Sequence, residues 1–401
     1  MTSVKFSNHP QMIIVIKNIP APIISVAQAC CISANVLAAM TDTLHPKGRN
    51  MFKKTDFLAV AMIASAALPG SAFAADDAET RGLANVKQFT LDHNERLISQ
   101  AALLENAVSE YADTIAANDG NYAAAWEKEG PALANKIQAI RTLWLEASNQ
   151  YETIEGIVAG IPETAKYDLI LDAGNPGTEN EDIAEYDLPL PDGTVLERPG
   201  NLFHGITEPL FWGMEERHVK LVVDLNGDGK QAPGEMLFDA NLGLGAAKAL
   251  TGWSRELHTD MSAWKPNRDD AFTSVVTMTP TVGDYFGEWK ESQFITGEIG
   301  AFVAQSRLAD VQGIMGGCKK MYFSAISPVI SADNPDLDKR IKSGFEELLV
   351  LVEDTYAREK AGEKFGIEEA DALGNEAQDI ADRVVAMILQ AAAQNNVKIR
   401  G

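Results

Sequence analysis

His204 and Glu208 stand four residues apart in the run Asn201-Leu-Phe-His-Gly-Ile-Thr-Glu-Pro-Leu-Phe-Trp-Gly213. On a helix this spacing puts an imidazole and a carboxylate one above the other on one face. Such a pair supplies two corners of a metal site, or the carboxylate orients the imidazole. Phe203, Phe211 and Trp212 make the surroundings apolar, so the pair is expected to be partly buried and to need partners. Pro209 removes a backbone donor and crowds the Gly205 carbonyl, which predicts an irregular helix beside Glu208. Glu152 and Glu155, in Tyr151-Glu-Thr-Ile-Glu155, are a second source of ligands. They fall at the carboxyl end of a helical stretch, where negative side chains are disfavoured, and this argues for a specific role. The ordinary alternatives stay open: a hydrogen-bonded structural pair at His204 and Glu208, and a solvated acidic helix end at Glu152 and Glu155. His93, His218 and His258, the other histidines beyond residue 74, read as structural or surface residues.

A sharper pattern follows at Asp224-Leu-Asn-Gly-Asp-Gly-Lys-Gln-Ala-Pro-Gly-Glu235. Asp224, Asn226 and Asp228 occupy positions 1, 3 and 5 of a calcium loop, Gly229 the sharp turn at 6, Lys230 the backbone carbonyl at 7 and Glu235 the bidentate position 12. Hard oxygen donors in that order suit Ca²⁺, expected here to pin a connection rather than to catalyse. Pro233 departs from an ordinary helix-loop-helix exit, and a turn rich in Asp, Asn and Gly is the alternative reading.

The elements that would hold these residues are mostly helical. Val86, Phe89, Leu97, Leu104, Val108 and Tyr111 recur at helical spacing over 83–117, and Trp126, Leu133, Ile137, Ile140, Leu143 and Trp144 do so over 122–156, with a kink expected near Pro131. The stretch 160–200 is rich in Pro, Gly, Asp and Glu and predicts a long irregular connection with a hairpin over 186–196. Helix is expected over 202–223, 237–263, 269–277, 281–311, 314–327, 337–361 and 368–395, with Asn334 or Asp336 beside Pro335 capping the penultimate one. The six tryptophans are read as filling gaps between helices. The expected fold is all-α: two packed helical bundles, over 75–265 and 266–401, with the irregular connection and the calcium-loop-like insertion in the first.

Residues 51–74 have the layout of a secretory signal peptide: Lys53 and Lys54, an apolar core from Phe57 to Leu68, then Ala72-Phe73-Ala74 for cleavage. That core is shorter than the about 20 residues a membrane span needs, so no anchor is expected in the mature chain and export to the periplasm is. Residues 1–50 are read as an untranslated or atypical leader. Residues 1–74 carry six basic and two acidic side chains, so the chain from Ala75 onward has a net charge of −27. Such a surface disfavours nucleic acid and anionic lipid and favours cations. Cys318 is the one cysteine beyond residue 74, which rules out an internal disulfide there.

Three segments together resemble the imelysin-like family, exported bacterial proteins that include insulin-cleaving metallopeptidase homologues and iron-regulated proteins. They are Trp144–Glu155, Phe203–Gly213, and Gly313-Ile-Met-Gly-Gly-Cys-Lys-Lys-Met-Tyr322 on through Ser327-Pro328 to Asp336-Leu-Asp-Lys339. The resemblance extends over most of 84–393. It implies a site made by His204 with Glu208 and a first-half glutamate, for which Glu155 is the best match. The family pattern Gly-x-His-x-x-Glu is altered: Leu202 replaces the glycine and Glu208 comes one residue late. The reading that follows is an exported metal-associated binding protein in iron or other metal acquisition, taking a metal ion or metal chelate and an envelope partner protein, with Fe, Zn or Mn at His204. A metallopeptidase using His204, Glu208 and Glu155 is one alternative, although no His-Glu-x-x-His stands in the sequence. A calcium-stabilised structural or interaction protein is the other.

Overall fold

In the computed structural model, residues 69–400 are described, apart from 179–181, 299 and 301; the leader segment 1–50 and most of the signal-like segment 51–74 lie outside them. The first helix, α1 (Pro69–Ala116), buries the stripe Val86, Leu97, Leu104, Val108 and Tyr111. It packs on α2 (Tyr122–Val158) and on α4 (Ala240–Ala263). Asn121 caps α2 by accepting from the Ala124 N–H, and the helix breaks at Glu129, two residues before Pro131, where the proline ring crowds the preceding turn. Trp144, Ala147, Tyr151 and Ile154 make its buried face.

Between α2 and α4 the backbone is irregular, and the helix expected over 202–223 divides. Leu202–Thr207 is a π-helical turn, Glu208–Trp212 is the short α3, and Val219–Val222 is a strand. Pro209 has no N–H to continue an α-helix onto Gly205, and the Glu208 N–H bonds instead to the Phe203 carbonyl, five residues back. A second π-helical turn, Leu169–Ala173, packs against the first. The expected hairpin is present as β1 (Asp187–Pro189) paired antiparallel with β2 (Val195–Glu197). A second hairpin, β3 (Val219–Val222) with β4 (Met236–Phe238), was not expected from the sequence; the calcium-loop-like segment is its turn.

The remaining α-helices longer than four residues are α5 (Arg268–Met278), α6 (Val282–Glu291), α7 (Arg307–Met321), α8 (Ser327–Asp333), α9 (Pro335–Lys360) and α10 (Ile367–Gln394), with a third π-helical turn, Tyr322–Ile326, joining α7 to α8. Asn334 caps α9 through the Leu337 N–H, with Pro335 in its first turn. The long helix expected over 281–311 is cut by a loop between α6 and α7. α10 packs on α6 and α9, and α7 packs on α6 and α9 from that side and on α2 from the other. The fold is all-α with two small hairpins. Leu68–Gly401 forms one compact unit, and helices from either side of residue 265 meet along α2 and α7. That crossing is close because it is built on glycine: a Cβ on Gly156 would lie 2.4 Å from the Ile314 carbonyl oxygen, and one on Gly313 would lie 3.1 Å from the Glu152 backbone.

Candidate metal centre

The approach of α7 to α2 brings residues of both halves around His204. Glu152 and Glu155 come from the last turns of α2, Asp172 from the π-turn Leu169–Ala173 and Asp168 from the residue before it, His204 from the π-turn Leu202–Thr207 and Glu208 from the start of α3. Tyr285 and Glu288 come from α6, and Arg307 and Asp310 from the first turn of α7. The His204 side chain is 10 % exposed, and those of Glu152, Asp172 and Glu208 are at 2 % or less.

The two imidazole nitrogens have different surroundings. Nδ1 lies 2.8 Å from Glu208 Oε2, and the other Glu208 oxygen accepts from the Ala304 N–H at 2.9 Å. Glu208 therefore fixes the ring from behind, as outer-shell carboxylates do for ligating histidines. Nε2 faces Asp172 Oδ1 at 3.3 Å and Glu152 Oε1 at 4.0 Å. Nε2, Asp172 Oδ1 and both Glu152 oxygens are buried and lack a well-formed hydrogen bond. Among the described residues, Glu152, Asp172 and His204 are the group whose ligand atoms converge, all within 4.8 Å of one another. Leaving four polar atoms buried and unsatisfied side by side is costly, and a cation held among them would remove that cost. One imidazole and two carboxylates are an established kind of donor set for first-row metals.

Arg307 is the fixed counter-charge. Its guanidinium lies between the rings of Tyr285 and Phe302, 4.5 and 4.8 Å from their centroids. Nε donates to Glu288 at 2.9 Å, Nη1 reaches Asp310 at 3.4 Å and Glu152 at 3.9 Å, and Nη2 reaches Asp172 at 3.8 Å. Phe302 also covers the His204 ring, centroid to centroid 4.8 Å, from a left-handed backbone at φ 59° that is strained for a bulky side chain. Trp144 closes another side with its edge at 5.8 Å and donates its indole N–H to Thr207 Oγ1.

Burial and neighbours separate the protonation states. Burial alone would depress the His204 imidazole, but Asp172, Glu152 and Glu208 hold its pKa well above the usual histidine range. Burial would raise Asp172, yet His204 and Arg307 bring it below the ordinary value. Glu152 is raised by burial and by Asp172. Burial, Asp172 and Glu152 push Glu155 well up; its Oε1 accepts from the Tyr285 hydroxyl at 2.8 Å. Asp310 is pushed well up by burial and Glu152, and Asp168, bonded to the Tyr151 hydroxyl, is raised to about 7 by burial and Asp172.

Of the residues singled out in the sequence, Glu152, Glu155, His204 and Glu208 are thus gathered in one buried cluster, with different contacts. Glu152 faces His204; Glu155, the match the resemblance offered, sits one turn on against Tyr285. Asp172 and Arg307 were missed. The signals available were a lone carboxylate inside the apolar run Leu169-Ile-Leu-Asp-Ala173, and a cation in the first turn of a helix, where it is electrostatically unwelcome. His93 pairs with Gln150 Oε1 at 2.9 Å and is structural.

The loop 224–235 is separate from this cluster. Asp224 Oδ1 accepts from the N–H groups of Gly227 and Asp228, and its Oδ2 from that of Gly229. Asn226 and Asp228 accept from Asp228 and Lys230, two residues on in each case. Glu235 accepts from the Ala232 N–H at 2.9 Å, and Arg141 donates to the Gly234 carbonyl beside it. Gly227, Gly229 and Gly234 all take positive φ, so the chain reverses where the loop pattern requires it.

No described helix is long and apolar enough to cross a membrane. Residues 90–387 match the family model described as Imelysin, Peptidase_M75. No curated protein matches.

Proposed function

The chain belongs to the imelysin family, and from that premise we propose that it is an exported protein of metal acquisition that binds a transition-metal ion between Glu152, Asp172 and His204. The observation that carries the reading is the set of four buried, unsatisfied atoms that these residues turn towards one another. His204 gives Nε2, Glu152 and Asp172 give carboxylate oxygens, Glu208 holds the imidazole tautomer, and Arg307 draws both carboxyls towards their ionised forms. A bound Fe, Mn or Zn ion would place positive charge at the converging donor atoms, which Arg307 meets only from 3.8 Å and 3.9 Å. Signal-directed export belongs to the same reading, as does an envelope partner that takes over the metal or its chelate.

Binding is favoured over peptide hydrolysis by the closure of the site. A hydrolytic metal needs an open coordination position facing a substrate cleft. Here the donor atoms are shut from water, and Phe302 lies over the imidazole. Calcium at 224–235 is a second, structural part of the proposal, supported by the ordered donors and the left-handed glycines of that turn.

The test is elemental mass spectrometry on protein purified without chelator, alongside His204→Ala, Asp172→Asn and Glu235→Ala. A transition metal near one equivalent, lost in the first two variants and kept in the third, is the expected result. Wild-type protein that takes up no transition metal on reconstitution would sink the acquisition reading.

A further inference from the structure

A cleft of about 710 Å³ opens beside the metal centre, and His204 and Gly205 form part of its wall. It runs between the β2 end of the first hairpin and the 215–218 segment that leads into β3. Arg198 and Arg217 line it together with Glu197, Glu215 and His218, whose imidazole burial and Arg217 bring below its ordinary pKa, so the charges on the wall balance. Arg217 and His218 share one acidic partner, Glu215. Arg198 makes no ion pair among the described residues. It stands at φ 41°, directly before Pro199, in a left-handed conformation that is strained for a residue with a Cβ. Three tethers hold this backbone: the Arg198 N–H donates to Asp187 Oδ1, the Arg198 carbonyl accepts from the Gly177 N–H, and the Tyr186 hydroxyl donates to the Gly200 carbonyl. Strain held in place beside a cleft marks a position whose side chain is aimed for use. Asn201 also lines the cleft, where its side-chain oxygen accepts from the N–H groups of His204 and Gly205.

We propose that this cleft binds a small polycarboxylate anion, the chelator with which a metal ion travels, clamped by Arg198 and Arg217. Arg198, with no acidic partner among the described residues, and the fork geometry of arginine select an oxyanion, which displaces Glu215 from Arg217. The volume selects one larger than a single phosphate, since pockets of this size enclose a multi-group ligand. The choice of a chelator rests on the metal-acquisition reading, because the cleft and the metal site share His204. In that arrangement the anion docks outside while the ion it releases is taken within. Glu197 and Glu215, also on the wall, repel a ligand that strays from the arginines and so restrict its orientation.

The test is titration calorimetry of citrate into the full, metal-free chain, with inorganic phosphate and Zn²⁺ alone as separate titrants. Saturable citrate binding is expected, at least tenfold weaker in Arg198→Asn and in Arg217→Gln, with phosphate at least tenfold weaker than citrate. Asparagine tolerates the left-handed backbone, so the Arg198 variant removes the charge without unfolding the turn. Zn²⁺ binding should be unchanged in both variants. Absence of saturable citrate binding, or equal citrate affinity in wild type and both variants, overturns the cleft. Phosphate binding as tightly as citrate overturns the polycarboxylate class. Citrate binding that survives in a chain unable to hold Zn²⁺ supports the anion site while removing the metal reading, so the two fail separately.

Discussion

Replacing Arg307 with methionine keeps much of the side-chain volume between Tyr285 and Phe302 and removes the charge. The guanidinium faces four carboxylates, but Glu288 is 44 % exposed, and a pair of that kind contributes about 1 kcal/mol or less. Glu152, Asp172 and Asp310 are buried. Removing one partner of a buried ion cluster costs about 3–5 kcal/mol, because the remaining charges are uncompensated. That cost is limited by protonation: each carboxylate can escape it for about 1.4 kcal/mol per pH unit above its unfolded pKa near 4. At pH 8 the limit is not reached and the full loss applies. At pH 5 Glu152 and Asp172 can both take a proton, and the loss shrinks to about 3 kcal/mol or less. With an unfolding entropy of about 2.1 cal/mol/K per residue over this chain, the pH 8 loss lowers Tm by roughly 4–7 °C. Metal should reverse the order, since a bound cation replaces the missing charge and no longer meets a competing guanidinium. Differential scanning fluorimetry at pH 5 and 8, with and without Zn²⁺, reads all of this. An Arg307→Met Tm unchanged at pH 8, or a Zn²⁺ shift no larger than in wild type, would refute the counter-charge argument.

Metal uptake should release protons. His204, held protonated by its carboxylates, must lose its Nε2 proton to ligate, so apparent affinity should rise about tenfold per pH unit between pH 6 and 8 for each proton released. A pH-independent affinity over that range would contradict the assignment of Nε2. The metal-free protein should gain stability on mild acidification. Asp168, raised to about 7, binds more protons folded than unfolded, so its contribution grows as pH falls from about 7 towards 4; His204, raised in the folded state, acts in the same direction. Chemical denaturation at pH 8 and pH 5.5 checks the sign. Gly156→Ala should separate α2 from α7, because its Cβ would meet the Ile314 carbonyl at 2.4 Å; a loss of about 1–3 kcal/mol and weakened metal binding are expected, and wild-type behaviour would disprove the close crossing. Millimolar Ca²⁺ should raise the Tm of wild type and not of Glu235→Ala, and equal shifts in both would remove the calcium reading of 224–235.

How much of this was legible depends on whether a residue's reason for being there is local. The stripes of α1 and α2, the break before Pro131, and the Asn334-Pro335 start of α9 all follow from interactions within a few residues, and sequence shows them. The strands β3 and β4 did not stand out because Val219–Val222 and Met236–Phe238 are too short for alternation to emerge from the helical patterns beside them. The site is legible in one half only. His204, Glu208, Glu152 and Glu155 stand out because helical spacing and helix-end electrostatics make them conspicuous. Asp172 does not, since its direction depends on a π-turn that adds a residue to the helical repeat and alters which side chains share a face. Arg307 and Asp310 do not, since what joins them to Glu152 is a crossing some 150 residues apart in sequence, made close by Gly156 and Gly313. The late glutamate of the family pattern has a physical account in the same terms. A π-turn closes a bond to the fifth residue back, as Glu208 N–H does with Phe203, and so carries one extra residue between His204 and the point where Glu208 returns beneath its Nδ1. The departure in spacing that made the motif look broken is matched by a departure in helical repeat, and the histidine-carboxylate contact at 2.8 Å survives both.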